Sequence, residues 1–495
     1  MGKPICNLLN LLSLSLFDKF SPLIKSGCYG LSAQCRLYNK IEGKSPVSLT
    51  SFFTIITPDY SAQARVLVKS IIASCSPKNV TVYIVGRGQY KSLFSDLQCD
   101  VELASDIIGQ AAYDDLVTRY GAAETCFALK PVLAEALLAK GAPQIFFVDA
   151  DCLFLSAPTQ AECALKEGAS AVLTPHILSS AAGRHYVDDR ALLRSGAINV
   201  GFFGVSATDE GRALLSWWKD RARADCTLDD AHGTYYEQKW LDLAQSMFEG
   251  VKLIRDQGYN IAYWNLHQRP LKKTPEGRWT VNGQPVVFVH FSRWFMSTMT
   301  PEKYARMHIQ DPDAIEASFP ILEAYAVAVK AEQAPNGIDT LSIKVDDQHL
   351  PDGSPITPVM RRALWRNIAV SDGKRENLLD VLNAPSPRMP QFPPYMLSNF
   401  YEEFWLSRPD LRYNKFDVDL ADGLRAFTRW LVDVGQNESK IPECLMSVAR
   451  KALQVDAEMI KQHCVQLEDQ VASLEDRVAS LEDQVASLED QVASL

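Results

Sequence analysis

The chain has 495 residues, 47% apolar and 22% charged, with a formal net charge of −10 at pH 7. This is the composition of a globular protein with room for about two to four domains, and its acidic balance argues against a nucleic-acid binder. Eleven cysteines occur with no CxxC pair, which argues against a zinc module and suits a reducing compartment.

Residues 1–47 form a poorly patterned leader. Its apolar stretch, ICNLLNLLSLSLF, is broken by Asn and Ser and followed by Asp18 and Lys19. It is too short to span a bilayer, and no clear cleavage site follows. An amphipathic helix is expected there. Cys6 stands where a myristoylation motif needs Ser or Thr, so that match fails. The expected location is cytoplasmic, with the leader able to rest on the inner face of a membrane.

From 48 to 300, strand-like and helix-like runs alternate. SFFTIIT (51–57) and VTVYIVG (80–86) read as strands, and Ser61–Ser74 has helical spacing through Val66, Ile71 and Ile72. Phe127–Lys140 places Leu129, Val132, Leu133, Ala136 and Leu137 on one stripe. SAVLTP, INVGFFGV, VKLI and PVVFVHF are further strands, and Thr208 before Asp209 and Glu210 reads as a helix N-cap. Such alternation predicts an α/β fold with a mainly parallel sheet. Residues 301–345 look like a helical extension running into a linker, and 346–358 is rich in Pro, Gly and Asp. From 359 to 453 helices dominate, with Leu424, Phe427, Leu431 and Val434 expected on one face.

The tail, 454–495, has a seven-residue repeat. Val471, Val478, Val485 and Val492 occupy one position, and Leu474, Leu481, Leu488 and Leu495 follow three residues later. The frame extends back through Leu467, Cys464, Ile460 and Ala457. Val at a with Leu at d favours a parallel two-stranded coiled coil, in which Arg477 at g reaches Glu482 at e of the other helix. A homodimer is the expected consequence.

The segment most informative about chemistry is IFFVDADCLF (145–154), which reads as a buried strand closing on Asp149-Ala150-Asp151. Two such carboxylates cannot sit in a core unpaired. A hard cation, Mn²⁺ or Mg²⁺, would take their oxygens and leave positions open for phosphate. His290, in the apolar run FVHF, is either a satisfied core histidine or a third ligand. Asn199 is either a structural amide or a partner for sugar hydroxyls, and Gly201 admits close approach of ligand or backbone. Lys130 and Arg65 could each meet a donor phosphate or an acidic side chain. Glu237, on a helix expected to begin near 234, is either a first-turn carboxylate or a functional one. Asp229 and Asp230 are the competing bases. Trp264 and His267 read as packing residues, with an aromatic platform for an acceptor sugar as the alternative.

Taken in order, TIITPDYSAQARVLVKSI, FALKPVLAEALLAKGAPQIFFVDADCLF, INVGFFGV, YYEQKWLD and FVHFSRW resemble nucleotide-sugar glycosyltransferases of the GT-A fold. The likeness is nearest to the retaining, glycogenin-like and lipopolysaccharide-galactosyltransferase-like group and covers about half the chain. It implies a GT-A α/β domain, then an all-α region and the coiled coil. It also implies a metal held by Asp149, Asp151 and His290, and donor contacts from Thr57, Tyr60, Arg65, Lys130, Asp149, Gly201 and Gln238. Arg293 replaces the family's usual Lys after the His, and its planar fork suits phosphate. Catalytic roles fall to Asn199 with Glu237 or Asp229; a retaining reaction needs no protein base, an inverting one does. The implied activity is transfer of a sugar, most often from a UDP-sugar, to a carbohydrate acceptor, as in surface polysaccharide synthesis. A catalytically inactive scaffold with the same fold and zipper is the alternative.

Overall fold

A computed structural model describes residues 50–180, 187–229, 233–294, 299–309, 311–333, 349–367, 377–413 and 415–494. The leader, Asp230, Leu495 and the first residues of the 346–358 linker lie outside them. The chain divides into two compact units, Met1–Asp347 and Gln348–Leu495, and the division falls inside that linker. The helices Pro301–His308 and Pro312–Ala331 thus belong to the first unit.

The strands of the first unit include β1 (Thr50–Ile56), β2 (Asn79–Ile84), β3 (Asp100–Leu103), β4 (Gln144–Val148), β5 (Cys152–Phe154), β6 (Ala171–Pro175), β7 (Ile198–Ser206), β8 (Val251–Leu253) and β9 (Phe288–His290). Seven form one sheet in the order β8-β6-β7-β4-β1-β2-β3. Neighbours are parallel except at β7, which runs antiparallel to β4 and β6. This is the α/β, mainly parallel architecture that the GT-A resemblance implied.

Its central strands are buried on both faces, so their sequences are rich in apolar residues without a strict alternation. Phe52 and Ile56 of β1 pack with α1 (Ser61–Cys75), through Leu67, Val68 and Ile71. Phe53 and Ile55 point the other way and pack with α2 (Ala122–Ala139) and α3 (Asp209–Ala224), through Leu129, Leu133, Leu214 and Trp218. Each such buried side chain contributes about 1.5–3 kcal/mol. As the sequence implied, the Thr208 hydroxyl caps α3, accepting from the Gly211 N–H at 3.1 Å.

Within residues 145–154 the buried strand closes at the acidic pair, as the sequence suggested, and a second, separate strand follows. β4 ends at Val148, the chain turns through Asp149–Asp151, and β5 then pairs antiparallel with β9. The turn is held by the Asp149 N–H on Gly201 O (2.8 Å) and the Cys152 N–H on Asp149 O (3.1 Å). A continued strand would have driven a carboxylate into the core, and the turn avoids that cost. Nearby, the β6–β7 register jumps, with Leu173 opposite Phe203 but Thr174 opposite Asn199. This irregularity opens the sheet beside the turn.

Arg65 on α1 is committed elsewhere. It donates to Asp96 Oδ1 and Oδ2 (2.5 and 2.6 Å), to Leu93 O (2.6 Å) and to Glu332 Oε2 (2.9 Å). Lys69 also pairs with Glu332. Glu332 directly follows α4 (Pro312–Ala331), so these ion pairs tie α1 to the end of α4.

Among the described residues the regular elements of the second unit are helices, with α5 (Asn399–Leu406), α6 (Ala421–Trp430) and α7 (Glu443–Ala493) among them. Phe400, Leu424, Phe427 and Leu445 share one core. Buried Glu402 and Glu403 are met by Arg388 (2.7 Å) and Arg366 (2.5 Å). Leu424, Phe427 and Leu431 are buried, but Val434 is 45% exposed, against expectation. Residues 431–435 are π-helical, and the wider turn rotates Val434 off that face. α7 buries Leu445, Met446, Ala449, Ala452 and Asp456 and continues as a single helix, about 75 Å long at 1.5 Å per residue.

Candidate functional site

His290 closes β9 and stands opposite Cys152 in the β5–β9 register. That pairing carries its ring to the Asp149–Asp151 turn, and the Phe291 N–H secures the next residue on Asp151 O at 2.9 Å. Its Nε2 lies 3.1 Å from Asp151 Oδ1 and 3.8 Å from Asp149 Oδ2. The Asp149 side chain keeps 27% of its surface exposed, so the cluster is open on one flank. Two carboxylates and one imidazole are a donor set that suits Mn²⁺ or Mg²⁺. Cys152 Sγ also lies within 4.8 Å of ligand atoms of Asp151 and His290. Burial pushes that thiol well above its ordinary range, and a protonated sulfur is a poor partner for a hard cation. The ring of His290 is pulled down by burial but raised more by Asp151 and then Asp149, with a net upward shift.

Lys130, on α2, reaches beneath this cluster. Its Nζ is 2.8 Å from Glu237 Oε1 and 3.2 Å from Asp149 Oδ1, and it donates to Val200 O at 3.2 Å. The rings of Phe147 and Phe127 lie 4.6 and 5.0 Å away. Burial opposes the charge, but Asp149 and Glu237 outweigh it and hold the ammonium above its ordinary pKa. Of the two readings of Lys130, the acidic partner is therefore the observed one. Glu237 does not open a helix. It lies between the short strand Thr234–Tyr235 and a 3₁₀ turn, Lys239–Asp242. Tyr236 before it sits at φ 52°. That local bend aims the Glu237 carboxylate inward at Lys130.

Gly201 has a different neighbour from the ligand expected. A Cβ there would sit 2.4 Å from His290 Cε1 and 2.7 Å from Nδ1. The missing side chain is thus the seat of the imidazole. Asn199 is likewise turned to protein partners. Its Oδ1 accepts from the Gly201 N–H (3.1 Å) and from Asn260 Nδ2 (3.1 Å), and its Nδ2 faces His176 Nε2 at 3.3 Å. Burial pushes His176 down to about 4, so it is neutral. Asn260, fully buried, meets His290 Nδ1 at 3.2 Å. Trp264 sets its ring edge against both His176 (5.4 Å) and His290 (5.3 Å), which is the packing role expected of it. Sequence reasoning missed His176, Asn260 and Asn265. For the two asparagines the signal was their place in the largely apolar stretch GYNIAYWNL; His176 had none.

Thr57 follows β1, and its carbonyl accepts from the Tyr60 N–H at 3.0 Å. Tyr60 is half-buried, and burial raises its hydroxyl pKa, with Asp151, Asp59 and Asp149 among the charges adding to the shift. Gln238 donates to Ser195 O at 2.8 Å, tying down the segment before β7. Arg293 is exposed, at φ 68°, three residues beyond His290. Arg65 is not brought to the cluster. Arg65 is spent on Asp96 and Glu332, because a buried guanidinium needs carboxylate partners close by. Asp229 lies in a two-residue strand paired with Thr234–Tyr235.

No family model matches the chain. Among curated proteins it is similar to YfnF of Bacillus subtilis (strain 168), 27% identical over 177 residues, covering 34% of this chain and 56% of that protein. YfnD of the same strain is 29% identical over 179 residues, 35% of this chain and 55% of that protein. Both carry the name "uncharacterized protein". The chain spans about half the length of the curated relatives it matches. Among solved structures, mouse xyloside xylosyltransferase 1 in its apo form aligns with 49% of this chain and 98% of its own. The identity is 11% and the TM-score 0.31, and a likeness that remote carries no argument about this chain.

Proposed function

We propose that the first unit is a metal-dependent glycosyltransferase that moves a sugar from a nucleoside-diphosphate donor, with a UDP-sugar as the first candidate, to a carbohydrate acceptor. The observation that carries this reading is the convergence of Asp149, Asp151 and His290 at the end of the central strand. These three would hold the cation, Mn²⁺ or Mg²⁺, which when bound supplies Lewis-acid neutralisation of the donor diphosphate. Tyr60 flanks the same space, and Arg293, exposed three residues past His290, is in reach of a phosphate. Burial raises the Glu237 pKa and Lys130 opposes that shift, while their 2.8 Å ion pair turns the carboxylate inward. A carboxylate so engaged serves better to stabilise positive charge on a sugar than to take an acceptor proton, which favours the retaining course. The exposed seam of α7, from Ile460 to Val492 at 45–71% exposure for its large a and d residues, supports a parallel two-stranded coiled coil with a second copy.

The test is a panel of nucleotide sugars scored for Mn²⁺-dependent release of nucleoside diphosphate, with Asp151→Ala as control. Turnover of one donor that needs the metal and vanishes in the variant supports the reading. Absence of metal-dependent binding to any nucleoside diphosphate by calorimetry would leave an inactive scaffold.

A further inference from the structure

We propose that Asn260 is a positioning residue that keeps a proton on His290 Nδ1 and so turns an unprotonated Nε2 toward Asp149 and Asp151 when the cation binds. This rests on the metal-binding reading above. The direction of each hydrogen bond follows from one group whose role is not adjustable. The Gly201 backbone N–H can only donate, so the Asn199 atom it meets at 3.1 Å is the oxygen. That same oxygen lies 3.1 Å from the Asn260 amide, so Asn260 must present its NH₂ there. Its remaining atom, the oxygen, then faces His290 Nδ1 at 3.2 Å. An acceptor at that distance requires the ring to donate. The polarity set by a strand backbone is thereby relayed through two amides to the far nitrogen of the imidazole, where a ligand's lone pair is needed.

Asn260 is itself held on every side. It sits at φ 51°, a left-handed conformation that asparagine tolerates better than most residues. Its carbonyl accepts from Asn265 Nδ2 at 2.9 Å and from Arg269 at 3.4 Å. Asn265 in turn donates to His176 O (2.9 Å) and accepts from the Ala262 N–H (3.0 Å). The Trp264 edge closes the other flank of the ring.

The experiment uses the full chain labelled with ¹⁵N-histidine. Long-range ¹H–¹⁵N spectra, assigned with His290→Gln, report which ring nitrogen carries the proton, metal-free and with the diamagnetic Mg²⁺. The expected result is a protonated Nδ1 in both states. Mn²⁺ affinity is read in parallel from the free-ion paramagnetic resonance signal. Asn260→Gly removes the acceptor without backbone strain and should weaken Mn²⁺ binding by about 10–100-fold. Asn260→Asp keeps an oxygen at the ring but sets its other oxygen against Asn199 Oδ1, so it should restore only part of that loss. An unprotonated Nδ1 in the wild-type protein overturns the proposal, as does undiminished Mn²⁺ affinity in Asn260→Gly. Should the wild-type protein bind neither Mn²⁺ nor Mg²⁺, the metal reading falls, and the metal-free spectrum, recorded at a pH where the ring is neutral, still decides the role of Asn260.

Discussion

Lys130 stands between two carboxylates, Asp149 and Glu237, in a pocket walled by phenylalanine rings. Removing one partner of such a buried pair leaves an uncompensated charge. Lys130→Met should cost about 3–5 kcal/mol in denaturant unfolding at neutral pH, with part recovered as acid neutralises Glu237. Gly201→Ala drives a methyl into the His290 ring and should destabilise by about 1–3 kcal/mol. It should also weaken Mn²⁺ binding, which calorimetry would report. A third expectation concerns pH. Because Asp151 and Asp149 raise the folded-state pKa of His290 above 6.5, its charged form stabilises the metal-free fold. That contribution is fully present below the unfolded value and disappears as pH rises through the raised one. The melting-temperature gap between wild-type protein and His290→Gln, in chelator, should therefore narrow as pH rises across that interval. Mn²⁺ affinity should climb over the same range, since the cation displaces the Nε2 proton.

Elements are joined by charges as well as by packing. The Arg65 guanidinium links α1 to Asp96 and to Glu332 at the end of α4. Arg65→Met should lower global stability by several kcal/mol in denaturant melts, since it leaves Glu332 buried with Lys69 as an ion partner. Mn²⁺ affinity should change little, because the clamp lies outside the carboxylate cluster. The helices and strands themselves were legible because apolar spacing is a local property. The α3 cap was legible for the same reason, since Thr208 and Gly211 are three residues apart. Asp149, Asp151 and His290 could be singled out because charged or polar groups in apolar runs demand partners. What could not be read was which partner each would find. Glu237 gave no hint of Lys130, nor Gly201 of the ring it seats, because those contacts join segments distant in sequence. Val434 failed for a local reason, a π-helical turn that ordinary 3.6-residue spacing does not anticipate.

At the scale of the whole molecule, the repeat in α7 leaves large a and d residues facing solvent in a single chain. Replacing Leu474 and Leu481 together with lysine should convert a dimer to a monomer in analytical ultracentrifugation. The thermal transition of the α/β unit should stay unchanged. The sequence alone determined the order of strands and helices, the acidic pair at the end of a buried run, and the heptad frame. Each of these is written in the spacing of apolar and polar residues along one stretch of chain. Tertiary structure alone decided that the acidic pair lies in a turn, that β9 brings His290 to it, and that buried amides from β7 and the 258–269 loop orient its ring. Those outcomes depend on hydrogen bonds and burial between segments up to about a hundred and forty residues apart, for which no local pattern is available.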